Sequence, residues 1–221
     1  MTRKVRETAA ELMARLNADP EWVAREKARD EEFRRKGQEF ARAEAPLVKE
    51  LQFAGLTVNS VWDLVNGRYW FKSKVKAGPH ARVLPILLAH LERPYPDAIR
   101  DGVARAMAIP AARFAWPVLV KLFRQEQQES RTKQGLAVAL SNIADDELLD
   151  ELINLIRDPQ NGVSRGLLLR ALEVSHRSDK RKVLMEFGGD PLLHREVQEI
   201  FRRLDRAKRR VSGTRRIDSL E

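Results

Sequence analysis

The chain has no cysteine, which excludes disulfides, cysteine-ligated zinc, iron–sulfur clusters and a thiol nucleophile. Nowhere do about eighteen apolar residues run together, so no membrane-spanning helix is expected. The opening stretch, MTRKVRETAAEL, mixes charged with small residues and lacks the apolar run of a signal peptide,. A cytoplasmic location without membrane attachment is the expectation. Glycine (11) and proline (10) are too few for a disordered chain or one built of tight hairpins, and aromatics, at 6%, are scarce,. The segments NGR (66–68) and FGGD (187–190) lack the strand and lysine of a phosphate-binding loop, and there is no nucleophile elbow,. Histidines 80, 90, 176 and 194 fall at no metal-ligand spacing,. The expectation is a non-enzymatic protein with no catalytic residues, no cofactor and no metal.

What is present is charge. Among 221 residues, 43% are apolar and 33% charged, a balance that suits helices with long solvated faces and still supports a substantial core. The net charge of +9 is unevenly placed: residues 55–78 carry +3 and residues 201–221 carry +5, whereas residues 79–200 balance. Excess positive charge of this kind draws nucleic acid, an anionic surface or an acidic protein.

Periodicity predicts an all-α chain. A first helix over 3–17 carries Val5, Ala9, Leu12, Met13 and Leu16 at helical spacing and is stopped by Asp19-Pro20,. A second runs from Pro20 to about Phe53 with a narrow stripe of Trp22, Phe33, Phe40 and Leu47, weakened by Gly37,. The two are expected to form a hairpin over 1–54. A short helix over 59–66 lies within a basic, aromatic connector at 55–78. From residue 79, apolar helices of 12–16 residues alternate with short breaks up to about residue 205, and 206–221 reads as a basic, flexible tail ending its order near Ser212-Gly213-Thr214,. Pro117 is expected to kink the helix PAARFAWPVLVKLFRQ, and Pro85 to sit near the start of its own,.

The helices after residue 79 repeat. Val103, Leu136, Leu167 and Val197 align in one column, Met107, Leu140, Ala171 and Phe201 in another, and Gly102, Gly135 and Gly166 in a third, at offsets of 33, 31 and 30 residues,. Over 79–205 the chain therefore resembles the HEAT-repeat family, in particular short bacterial HEAT-like proteins, although it lacks a regular Val-Arg pair opening each second helix. The resemblance implies an α-solenoid of about four helix pairs, each burying its apolar face against its neighbours. It also implies a concave face, lined by the second helices, that binds a protein, a peptide or a nucleic acid.

Three groups carry candidate chemistry. Tyr69, Trp70 and Phe71 interleave with Arg68, Lys72, Lys74 and Lys76; such a stretch suits stacking on bases and tracking phosphates, or a packed joint flanked by solvated lysines. A polar ladder on the second helices places Arg100, Lys133, Ser164 and His194 in register, beside Asp101, Gln134, Arg165 and Arg195. The tail offers Arg206, Lys208, Arg209 and Arg210 to a phosphate backbone,. The acidic run Asp145, Asp146, Glu147, Asp150 and Glu151 reads as helix capping. Trp62, Asp63, Trp70 and Trp116 supply the residue types that HEAT-like DNA glycosylases use, without a positional match. The leading expectation is an adaptor, regulator or immunity-type inhibitor that engages a protein partner, acidic by complementarity, through the concave face. A nucleic-acid-binding role for the 68–76 segment and the tail is the alternative.

Overall fold

A computed structural model of the chain describes residues 7–66, 80–128 and 130–217. It is 78% helix, with eleven α-helices and no strand among the described residues. Two compact units are separated between Ala45 and Pro46. No single helix among the described residues is long and apolar enough to cross a membrane.

The first unit contains α1 (Ala9–Ala18) and the greater part of α2 (Pro20–Phe53). Thr8 caps α1 in a capping box, its hydroxyl accepting from the Glu11 N–H at 3.3 Å while the Glu11 carboxylate accepts from the Thr8 N–H at 2.9 Å,. The helix buries none of its side chains, so a hairpin with α2 has no core of its own. On α2 the charged residues between Trp22 and Phe40 pair along one helix, as in Glu32–Lys36 (2.6 Å) and Arg35–Glu39 (2.7 Å); each such pair contributes only about 0.3–0.5 kcal/mol.

The second unit holds the end of α2, then α3 (Val61–Asn66), α4 (His80–Leu91), α5 (Asp97–Ala106), α6 (Trp116–Gln125), α7 (Arg131–Ile143), α8 (Leu149–Arg157), α9 (Arg165–Val174), α10 (Lys180–Glu186) and α11 (His194–Ile217). Its organising contacts run along alternate helices: α3 packs on α5, α5 on α7, α7 on α9, and α9 on α11. The helices between fill in beside them, α4 on α5, α6 on α7, α8 on α9 and α10 on α11. Nine of the thirteen residues of α7 are buried. Burial of leucine and isoleucine side chains such as Leu136, Leu140 and Ile143 contributes roughly 2 kcal/mol each,.

The buried positions correct the repeat register in one helix. Leu167 is 39% exposed whereas Leu168 is fully buried. The equivalent core columns are therefore Val103, Leu136, Leu168 and Val197, then Ala106, Ala139, Ala171 and Ile200, at offsets of 33, 32 and 29 residues. Alignment on glycine shifts α9 by one position. Gly102 and Gly135 are true equivalents: a Cβ at Gly102 would lie 2.7 Å from Val61 Cγ1, and one at Gly135 would lie 2.6 Å from Asp101 Oδ1 and 2.8 Å from the Asp101 carbonyl. Both allow a helix to close on its predecessor. Gly166 has no such role, since its added Cβ would make only ordinary contact with Leu193 at 3.9 Å.

The prolines also differ from expectation. Residues Pro110–Ala115 form a 3₁₀ turn and α6 begins at Trp116, so Pro117 falls in the first turn, where its missing N–H removes no helical bond,. Pro85 lies inside α4, and Pro46 lies inside α2 at the boundary between the two units. The backbone of α11 continues as helix to Ile217, through the stretch read as the end of order.

Gly135→Ala is expected to destabilise the protein by about 1–3 kcal/mol through overpacking. Gly166→Ala should be neutral or stabilising by up to about 1 kcal/mol. Equal effects in denaturant titrations would show that the corrected register is wrong.

Candidate functional site

The ladder residues occupy equivalent places in the corrected register, and each turns toward the carboxyl end of the helix before its own. Arg100 Nε donates to the Leu91 carbonyl at 3.3 Å, Lys133 Nζ to that of Glu126 at 3.2 Å, Arg165 Nη1 to that of Ile156 at 3.2 Å, and His194 Nδ1 to that of Gly188 at 2.7 Å. The last carbonyls of a helix lack intrahelical partners and carry the negative end of its dipole, so a cation there is doubly suited. Arg100 also pairs with Glu126 at 2.5 Å, and Arg165 with Asp190 at 2.8 Å. Lys133 is buried over the Phe123 ring, 4.7 Å from its centroid. Burial pulls its ammonium below the ordinary lysine range, partly opposed by the carboxylates of Asp158 and Glu126,. Lys133 and Arg165 are thus internal to the packing, Arg100 is largely so, and His194 stays exposed.

The remaining sequence candidates stand apart. Arg68, Lys72, Lys74 and Lys76, with Tyr69, Trp70 and Phe71, lie outside the described residues. Arg206 and Lys208 are exposed on α11, and the backbone at Arg209 and Arg210 continues that helix. Asp63 accepts from the N–H groups of Asn59 (2.7 Å) and Ser60 (3.0 Å), Trp62 packs against Gly102, and the Trp116 indole donates to Glu151 at 2.6 Å. His90 is buried and shares a hydrogen bond with the Tyr95 hydroxyl at 2.8 Å.

The acidic run ties neighbouring segments together. Asp145 and Glu147 both pair with Arg113, and Asp150 pairs with Arg177. Asp145 additionally accepts from the N–H groups of Glu147 and Leu148, capping the turn that leads into α8. Among the described residues no group of three or more His, Asp or Glu is placed to hold a metal ion.

No family model, curated protein or solved structure matches this chain. The site rests on its geometry.

That geometry leaves an apolar hollow between two of the alternate helices. An open groove of about 430 Å³ between α7 and α9 is lined by Val138, Ser141 and Asn142 on one side and Val163, Gly166, Leu167 and Arg170 on the other, with Glu196 at its end. Its cause is the register itself. Where α5 and α7 carry Gly102 and Gly135, α9 carries Leu167, so α9 lacks the glycine that lets the earlier helices close up. Leu167 on α9 and Val163 in the 3₁₀ turn before it are both exposed. Beside them, Glu173 accepts from Arg170 (2.9 Å) and from Arg203 (2.8 and 3.1 Å), and Arg203 reaches Glu196 at 2.8 Å. Burial pushes the Glu173 carboxyl up, but the hydrogen bonds from Arg203 and Arg170 outweigh it and hold the carboxyl below its ordinary value. The groove is an apolar floor with a fixed ionic lip. Aligning Leu167 with Val103 and Leu136 hides the groove residues from a reading of the sequence. The available signal was that Leu168, not Leu167, keeps the spacing to Leu172.

The inward role of the ladder is testable at Arg165. Burial raises the Asp190 carboxyl, but the Leu192 N–H and Arg165 more than offset this and hold it below its ordinary value. A depressed carboxyl contributes stability above the unfolded value, about pH 4, that is lost as pH falls through the folded value. Arg165→Ala should therefore lower stability by about 3 kcal/mol at pH 7, with part of the gap to wild type closing below pH 4. A variant as stable as wild type at pH 7 would place Arg165 outside the packing.

Proposed function

We propose that the chain is a HEAT-like α-solenoid of four helix pairs, α4/α5, α6/α7, α8/α9 and α10/α11, that acts as a binding protein and engages a protein partner across the face carried by the second helix of each pair. The recurring columns and the repeated side-chain caps on carbonyl ends support the repeat reading. The observation that carries the binding reading is the groove between α7 and α9, where Leu167 on α9 and Val163 in the turn before it stay exposed. An apolar stripe bounded by charges is the kind of surface that receives an amphipathic helix, whose anchors recur at i, i+3, i+4 and i+7. Such a partner would set its apolar anchors against Leu167 and Val163 and its charged residues against the Arg170–Glu173–Arg203 lip. The role is that of an adaptor, regulator or immunity-type inhibitor in the cytoplasm, without chemistry of its own.

The test is affinity capture from the native cell with the tagged chain and with Leu167→Asp. The substitution is at an exposed position, so stability should change by no more than about 0.5 kcal/mol. Wild type is expected to retain a stoichiometric protein that Leu167→Asp binds at least about ten-fold more weakly. Recovery of the same partner by both would overturn the groove, and no reproducible partner would overturn the protein-binding reading.

A further inference from the structure

We propose that the outward face of α11 is a second binding surface, one that takes the phosphate backbone of a nucleic acid. The inference does not rest on the groove. In α11 the apolar side is occupied: Val197 and Ile200 are buried, and Phe201 is half-buried beneath the Arg181 guanidinium, 5.1 Å from its ring centroid. At about 100° per residue, positions 195, 199, 202 and 206 fall on the opposite side. Those positions are Arg195, Glu199, Arg202 and Arg206, and all three arginines are exposed. Positions 209 and 210, both arginine, continue the same register of the backbone. Five arginines are thereby set along about 22 Å of helix, the rise of roughly six nucleotides on one strand.

The acids on this helix do not cancel that charge. Glu196 is engaged by Arg203 and Asp205 by Arg181 (2.9 Å), both off the stripe. Glu199 pairs with Arg202 at 2.6 Å, the one pair within it. That pair is solvent-exposed, so it holds little energy against exchange for a phosphate. Arg195 and Arg206 pair with no acid among the described residues, the Arg206 Nε donating only to the Arg202 carbonyl at 3.2 Å. Beyond Asp205, residues 206–217 contain six basic side chains and no acid. Seven of the eight basic residues after position 200 are arginine, whose planar fork binds phosphate oxygens in pairs.

Two other polyanions are less well suited. A membrane-surface helix needs a free apolar side to bury among lipid chains, and on α11 that side is already packed as far as Phe201. An acidic protein would have to present carboxylates at regular spacing, which a nucleic-acid backbone does by construction.

The experiment measures binding of the full chain to a labelled 20-base-pair duplex by fluorescence anisotropy between about 50 and 200 mM salt, where each phosphate contact adds close to one unit of slope. Wild type should bind at low salt with a log–log slope near −4. The variant Arg195→Gln/Arg202→Gln/Arg206→Gln should lose about two to three units of that slope and bind at least about ten-fold more weakly at 50 mM. Lys121→Gln/Arg124→Gln, which removes exposed cations from α6, should leave both unchanged. No duplex binding at low salt would overturn the proposal, as would a triple variant that binds like wild type. Equal weakening by the α6 variant would reduce the effect to net charge and overturn the stripe. Tighter binding to vesicles of about 30% anionic lipid, or to polyglutamate, would replace nucleic acid with a membrane or an acidic protein.

Discussion

A side-chain donor near the start of each of α5, α7, α9 and α11, reaching into the carbonyl end of the helix before it, is the contact on which the packing of these alternate helices depends. Arg100, Lys133, Arg165 and His194 perform it in turn. An uncompensated buried carbonyl costs about 1–3 kcal/mol; the bond to Ile156 is buried, those to Leu91 and Glu126 are partly buried, and that to Gly188 is exposed. Chemistry varies among guanidinium, ammonium and imidazole while the function is constant: a donor of sufficient reach at one place in the repeat.

Spacing between the alternate helices is set by what stands one residue before each core column. Glycine at 102 and 135 lets α5 close on α3 and α7 close on α5. Leucine at 167 leaves the α7–α9 seam open on its exposed side, and the groove follows from that one change. Small residues accompany the close seams, and a large residue accompanies the recess. The arginines of α11 stand opposite the side on which Val197 and Ile200 are buried. Groove and arginine stripe can thus be carried by one row of helices without sharing a residue.

Much of this was readable from the chain. The span of α2 agrees at both ends, because Pro20 starts a helix and Gly55 adopts a positive φ just after it. The helices after residue 79 follow their apolar periodicity. Register in α9 was not legible, because Gly166 mimics the glycine column while Leu167 and Leu168 are equal in hydrophobicity; only burial separates them. The direction of the ladder was illegible for a related reason. A lysine or arginine in a helical pattern reads as solvated, and the interior carbonyl that holds Lys133 lies seven residues away in sequence but on another helix. Pro117 misled because a 3₁₀ turn of alanine and aromatic residues is indistinguishable by periodicity from the helix it precedes.

The claim that alternate helices form the structural spine, with α7 at its centre, is tested most directly by native-state amide hydrogen exchange. The amides of Leu136 to Ile143 should exchange only through global unfolding, with the highest protection in the chain, while those of α1, which buries no side chain, exchange by local opening orders of magnitude faster. If the α7 amides exchanged as readily as those of α1, or if α5 and α9 kept their protection while α7 opened alone, the spine would not be where these contacts put it.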